Sequence, residues 1–281
     1  MTTDQKGRPR PPGLRALGAA EPPHAIIVDS LPFSLVEVFK HDSLAATALY
    51  ENLSAGKKIV CKFNRIQPVL GIPMAWLGRW LAGRERHFYA LLGDLPCISK
   101  GCGPVFHDGT VLPHAHAHYY IEGRVLRKED RLPASFFAAL ASQLESVHSR
   151  GVYLLDLNKR ENILMDEAGQ PQLIDFQIAV QVRPEARFPF ANTLRQELQR
   201  CDDYHLMKHR IKLGDGSETD LPDAATPPFF VQIHRFVYQP LIRLRRAFLV
   251  KLGVRTGQGK AQSEHFLEVG LRDEDDTGVQ K

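Results

Sequence analysis

Residues 151 to 166 read Gly151-Val152-Tyr153-Leu154-Leu155-Asp156-Leu157-Asn158-Lys159-Arg160-Glu161-Asn162-Ile163-Leu164-Met165-Asp166. The chain runs on through Ala168-Gly169-Gln170-Pro171 into Gln172-Leu173-Ile174-Asp175-Phe176. Two short apolar strands, Ile163 to Met165 and Leu173 to Ile174, flank a tight turn, which is the pattern of a β-hairpin. One aspartate precedes the hairpin and another follows it, so Asp156 and Asp175 are expected to open onto one cleft. Just upstream, Phe137, Leu140, Leu144 and Val147 recur at helical intervals between Pro133 and His148, and Gly151 lies past the point where that helix stops.

At these residues the chain resembles the protein-kinase-like superfamily, whose catalytic loop reads H-R-D-L-x-x-x-N and whose metal-binding motif is D-F-G. The resemblance implies that Asp156 is the catalytic aspartate and that Asn162 and Asp175 are ligands of Mg²⁺, with ATP as phosphoryl donor. The chemistry suits those residue types. Mg²⁺ is a hard cation that takes carboxylate and amide oxygens, and a further carboxylate orients the attacking hydroxyl. The departures are equally specific. One extra residue separates Asp156 from Asn162, which leaves Asn158 as an alternative oxygen donor. Leu154 and Leu155 replace the motif His and Arg, and Gln177 replaces the final Gly.

Upstream, Lys58-Ile59-Val60-Cys61-Lys62-Phe63 follows the turn residues Ser54-Ala55-Gly56-Lys57 as the second strand of a hairpin. Its Ile59-Val60-Cys61-Lys62 resembles the V-A-I-K strand. That resemblance assigns Lys62 to the ATP phosphates and Glu85, on a helix from Gly83 to Leu92, as its carboxylate partner. His118-Tyr119-Tyr120-Ile121-Glu122-Gly123 resembles the segment linking the lobes, where the backbone of Tyr119 to Ile121 would bind adenine. No G-x-G-x-x-G precedes Lys62, so the phosphate-covering loop is sought at His41 to Ala48. No A-P-E signature follows Phe176. The compact C-terminal half resembles bacterial lipopolysaccharide core kinases, acting on Kdo or heptose, and RIO-type atypical kinases.

The expected fold is therefore α+β and two-lobed, with a small strand-rich N-lobe over 25–117 and a compact helical C-lobe over 118–262. Residues 1–24, with Arg8-Pro9-Arg10-Pro11-Pro12, read as a mobile arm, and 263–281, with Asp273-Glu274-Asp275-Asp276, as a flexible acidic tail. The 281 residues are 43% hydrophobic and 24% charged, enough for one sizeable core or two small ones. No apolar run reaches the ~20 residues of a spanning helix and no secretory pattern opens the chain, so a cytoplasmic location is expected. Cys61, Cys97, Cys102 and Cys201 are scattered and read as reduced thiols.

His114, His116 and His118 alternate on the strand before Tyr119, and the reading adopted is partly buried strand histidines rather than a metal site. Near the C-terminus, 229–238 and 241–252 mix aromatic, aliphatic and basic residues at helical spacing, with Pro240 between them. Such a helix either packs on the catalytic half or lies on the inner face of an anionic membrane. Ile72-Pro73-Met74-Ala75-Trp76-Leu77-Gly78-Arg79-Trp80-Leu81 carries the same two options.

The net charge of +4 favours polyanions in general, but no interleaved aromatic and basic motif of the RNA-binding kind appears. The functional expectation is an ATP- and Mg²⁺-dependent kinase acting on a hydroxyl of a lipid-linked sugar or of a protein Ser or Thr. A pseudokinase serving as a nucleotide-binding or interaction module is the alternative.

Overall fold

The computed structural model describes residues 10–186, 188–216, 227–233, 247, 250 and 251. Within them the chain is α+β and divides into two compact units. One holds residues 10–86 with Cys102–Tyr120, the other His87–Gly101 with the described part of 121–233.

The first unit is built on a seven-stranded antiparallel sheet. Its strands are β1 (Ala25–Val28), β2 (Leu31–His41), β3 (Ala45–Asn52), β4 (Lys57–Asn64), β5 (Val105–His107), β6 (Thr110–Val111) and β7 (Ala115–Tyr119). They lie in the order β6-β5-β1-β2-β3-β4-β7. The β3–β4 hairpin expected from Ser54 to Lys57 is present, with Asn52 opposite Lys57. Alternation sends Ala46, Ala48 and Tyr50 of β3 and Ile59, Cys61 and Phe63 of β4 into one buried cluster, together with Ile26, Val28, Phe33 and Ala117. Lys62, between Cys61 and Phe63, therefore faces the other side of the sheet.

From residue 10 onward, the segment expected to be a mobile arm is instead held against this unit. Arg65, buried, donates to the carbonyls of Gly13, Ser43, Gln67 and Pro68 at 2.7 to 3.2 Å. The amides of Ile66 and Gln67 both reach Ala16 O at 3.0 Å, and Tyr50 Oη donates to Pro23 O at 2.7 Å. Ala16 and Leu17 are buried. The proline-rich composition was a poor guide because donors from elsewhere in the unit, the Arg65 side chain at Gly13, the Ile66 and Gln67 amides at Ala16 and Tyr50 at Pro23, take up carbonyls that such a segment cannot pair within itself. Residues 1–9 and 263–281 lie outside the described residues.

Helix α1 (Ala75–Leu92) starts eight residues before the expected Gly83 and contributes residues to both units. Gly78 lowers helix propensity, yet a Cβ there would lie 2.3 Å from Arg65 O, so close approach requires glycine.

The second unit packs around α2 (Ala134–Ser149), one residue from the expected span. Phe136, Phe137, Leu140, Leu144 and Val147 form its buried stripe. Leu140 is fully buried, and truncating it to alanine would cost about 2–5 kcal/mol. The unit's strands are β8 (Gly123–Val125), β9 (Val152–Tyr153), β10 (Ile163–Asp166), β11 (Pro171–Leu173) and β12 (Val180–Gln181), in two small sheets ordered β11-β10-β8 and β12-β9, of which β9 and β11 pack on α2. The expected hairpin pairs Ile163 with Leu173. Helices α3 (Ala191–Leu213) and α4 (Phe229–Ile233) complete the unit. The four cysteines are free. Among the described residues no helix is long and apolar enough to cross a membrane. The basic stretch 241–252 lies outside the described residues except for 247, 250 and 251.

Candidate active site

In the second unit, the segment leading to Asp156 is shaped by a glycine and a buried carboxylate. Gly151 (φ 69°) ends α2 in the left-handed conformation, and a Cβ there would lie 2.3 Å from Val182 O. The chain then enters β9 and reaches Leu154 and Leu155, whose amides both donate to Asp202 at 2.9 Å. Asp202 is wholly buried on α3 and also lies 3.0 Å from His148 Nε2 on α2. Leu155 itself is left-handed (φ 60°), a conformation that costs a non-glycine residue on the order of 1–2 kcal/mol and that the Asp202 bond helps hold. One residue past Asp156, the carbonyl of Leu157 receives His209 Nε2 at 2.6 Å, which assigns the proton to that nitrogen.

The extra residue between Asp156 and Asn162 is absorbed by consecutive tight turns. Lys159 N donates to Asp156 O at 3.2 Å, and Asn162 N to Lys159 O at 3.1 Å, closing a 3-10 helix over Arg160–Asn162. This geometry buries Asn162 and leaves Asn158 exposed. Asn162 Nδ2 donates to Asp156 O at 3.1 Å, so its Oδ1 is the end available to a metal. Ile174 N in turn donates to Asn162 O at 3.1 Å. Two hydrogen bonds thus tie the Asp156 loop, Asn162 and the residue before Asp175 into one piece.

Asp175 is left-handed as well (φ 64°). Phe176 next to it is fully buried and meets Tyr89 edge to face at 5.1 Å, which pins the backbone from the core side. Asp175 Oδ1 accepts from Gln177 N at 3.4 Å, a local turn that orients the carboxylate. Burial pushes the Asp156 carboxyl above its ordinary range. Lys159, paired with it through Nζ, opposes that shift, and the negative charge of Asp175 adds to it.

In the first unit, Lys62 Nζ lies 3.0 Å from Glu85 Oε1, joining β4 to α1. Lys62 stands opposite His116 on β7, and His118 stands opposite Val60. The rings of His116 and His118 are 6.2 Å apart, whereas His114 packs near Phe63 at 6.4 Å. Burial drives the His116 imidazole pKa down to about 2, with the charges of His118, Lys62 and Arg86 adding, so the ring is neutral. At the end of β7, Tyr120 N is engaged by Lys58 O at 3.0 Å and Tyr119 O lies 2.9 Å from His118 Nδ1. Ile121 follows outside both β7 and β8. The His41 to Ala48 segment is the β2–β3 turn, where Asp42 Oδ1 accepts from the amides of Leu44 and Ala45 at 2.7 and 3.0 Å.

No family model matches this chain. Nor does any curated protein.

Among the described residues no three His, Cys, Asp or Glu side chains gather to hold a metal on their own. A Mg²⁺ ion fits the donor set in another way, because it keeps few protein ligands and completes its shell with phosphate oxygens and water. Asp175 and the Asn162 amide are hard oxygen donors of that kind, and the Asp156 carboxyl is raised chiefly by burial, with the Asp175 charge adding a smaller push.

Sequence reading missed Lys159, Asp202 and His148. Lys159 was visible as a cation three residues after Asp156. For Asp202 the signal was the run Leu198, Asp202, His205 and His209, spaced by three or four and buried along α3, where a carboxylate on the inner face requires buried donors.

Proposed function

We propose that the chain is an ATP- and Mg²⁺-dependent phosphotransferase with a two-lobed, protein-kinase-like fold. The strand-rich unit would be its N-lobe and the unit around α2 its catalytic lobe. The observation that carries the reading is the hydrogen-bonded piece containing Asp156, Asn162 and Asp175, with two left-handed residues held in it. Backbone strain and a carboxyl displaced from its ordinary pKa, found together, mark functional sites more often than passive turns.

In this reading bound Mg²⁺ would neutralise charge on the transferring phosphoryl oxygens, held by Asp175 and Asn162. Asp156 would orient the acceptor hydroxyl and take its proton as the oxygen bonds to the γ-phosphorus and ADP departs with the bridging oxygen. The phosphates of ATP fall to Lys62, whose ammonium is held in place by Glu85. The adenine edge would be met by the backbone of Tyr119 to Ile121. The β2–β3 turn is the segment that would cover the phosphates. The acceptor is an alcohol, on a lipid-linked sugar or a protein Ser or Thr, and ATP as donor implies a cytoplasmic site of action.

The test is transfer of label from γ-labelled ATP to cell-envelope and protein fractions, with and without Mg²⁺. Mg²⁺-dependent labelling that Asp175→Asn removes is the expected result. Mg²⁺-dependent nucleotide binding with no transfer to any fraction and no ATP hydrolysis would instead make the chain a nucleotide-binding module.

A further inference from the structure

In the first unit one stretch of chain carries a run of exposed apolar side chains, while Ile27, Val36, Leu44, Leu53, Phe106 and Val111 are exposed at separate places. Between Ile66 and Trp80, six large apolar residues are open to solvent: Ile66, Val69, Leu70, Ile72, Trp76 and Trp80. Leu70 is 98% exposed, Trp76 58% and Trp80 53%. The two tryptophans are four residues apart on α1 and so share a face. Val69 and Ile72 exchange N–H to carbonyl hydrogen bonds of 3.1 and 2.9 Å, with Leu70 (φ 50°) and Gly71 (φ 81°) both left-handed between them. The result is a two-residue turn of the hairpin kind with a leucine at its apex.

The base of this turn is fixed. Arg65 holds the carbonyls of Gln67 and Pro68, and α1 packs on Arg65 at Gly78. A leucine folded inward would gain the free energy of apolar burial. The turn geometry and the arginine clamp keep Leu70 outward instead.

Charge identifies the partner. From Ile66 to Arg84 the sequence has no Asp or Glu, and its only charged residues are Arg79 and Arg84. The Arg84 guanidinium lies 4.9 Å from the Trp80 ring centroid. Aliphatic side chains at an apex, followed along the chain by exposed indoles and arginines with no carboxylate among them, form the combination that suits the boundary between acyl chains and anionic headgroups. Indoles settle at that boundary, and arginine stems lie on apolar surface while their heads meet phosphate. We propose that the turn at 69–72 and the Trp76/Trp80 face of α1 form a docking surface that inserts into the headgroup region of an anionic bilayer.

Both tryptophans of the chain lie in this surface, so intrinsic fluorescence reports on it directly. The full chain should co-sediment with vesicles of phosphatidylcholine mixed with phosphatidylglycerol, at least tenfold more strongly than with phosphatidylcholine alone. Its emission should shift to the blue and be quenched by acyl-brominated lipid. The double variant Leu70→Ser/Ile72→Ser should lose at least tenfold in partitioning. Leu53→Ser, which alters an 83% exposed leucine at the β3–β4 turn, should not. Thermal melts by circular dichroism establish that both variants are folded. Four outcomes overturn the proposal: no sedimentation with anionic vesicles, equal sedimentation with both kinds, sedimentation with unchanged emission, or a blue shift that grows with protein concentration in the absence of lipid. The third would assign binding to another part of the chain, and the last would assign the surface to pairing of two copies.

Discussion

The Asp202 carboxylate lies 3.0 Å from His148 Nε2, and both side chains are buried. Because the same carboxylate also receives the amides of Leu154 and Leu155, it fixes the loop entering Asp156 from beneath. Asp202→Ala would strand three donors and is expected to cost about 3 kcal/mol or more. Asp202→Asn keeps the shape but loses acceptor capacity. It should melt several degrees lower and lower kcat for phosphoryl transfer, while KM for ATP stays near the parent value. An unchanged kcat in folded Asp202→Asn would reduce the network to a purely structural one.

The Lys62–Glu85 pair is largely buried, with side-chain exposures of 16% and 3%. Lys62→Met therefore leaves a carboxylate without its lysine and should destabilise the fold by about 3–5 kcal/mol in addition to depressing turnover. The double variant Lys62→Met/Glu85→Leu separates the two effects. Thermal stability should return toward the parent while transfer stays depressed by orders of magnitude, and Lys62→Arg should fail to restore it because its guanidinium is broader than an ammonium. Full turnover in the double variant would remove Lys62 from the phosphates.

Asp175→Asn and Asp156→Asn should part company in kinetic assays. The first removes the charge that would hold Mg²⁺ on the phosphates, so Mg²⁺-dependent nucleotide affinity should be lost. The second should keep that affinity and lose transfer by several orders of magnitude, since its role is confined to the attacking hydroxyl. Parallel loss of binding in both would make Asp156 a structural residue.

Asp42 offers a pH test independent of function. Burial alone would raise its carboxyl, but the Lys40 charge and the amides of Ala45 and Leu44 bring it down to about 2. A carboxyl depressed on folding stabilises the protein above its unfolded pKa, and that stabilisation disappears as pH falls from the ordinary aspartate value toward 2. The contribution is roughly 2 kcal/mol by linkage. Asp42→Asn should therefore lower the melting temperature at neutral pH and converge with the parent near pH 2. A constant offset across that range would mean that the loss is one of packing.

Local pattern made part of this fold legible. The α2 stripe, the β3–β4 hairpin and the β10–β11 hairpin were readable because their signals lie within a few residues of each other. The start of α1 was not, since Gly78 argues against a helix until Arg65 O is known to press on it. The anchoring of residues 10–24 was hidden for the same reason, because its donors come from Arg65 and Tyr50, far along the chain. At the candidate site, the hairpin pattern put one aspartate, Asp156, before the strands and another, Asp175, after them, whereas Asn162 was pointed to by resemblance alone, and its packing against Asp156 in place of Asn158 depends on the turns between them. Asp202 depends on contacts some fifty residues away, where periodicity shows a buried stripe but not what a carboxylate in it would bind.

The displaced carboxyl of Asp156 has a practical corollary for ligand discovery. A carboxyl whose pKa is raised on folding is a liability at neutral pH, because ionising it costs more in the native protein than in the unfolded chain. A cation that settles beside Asp156 and Asp175 repays that cost by mass action, so the melting temperature becomes a readout of occupancy. Differential scanning fluorimetry across divalent cations and nucleotides, read at neutral pH and again where Asp156 is protonated, would rank ligands for this site with no acceptor alcohol in hand.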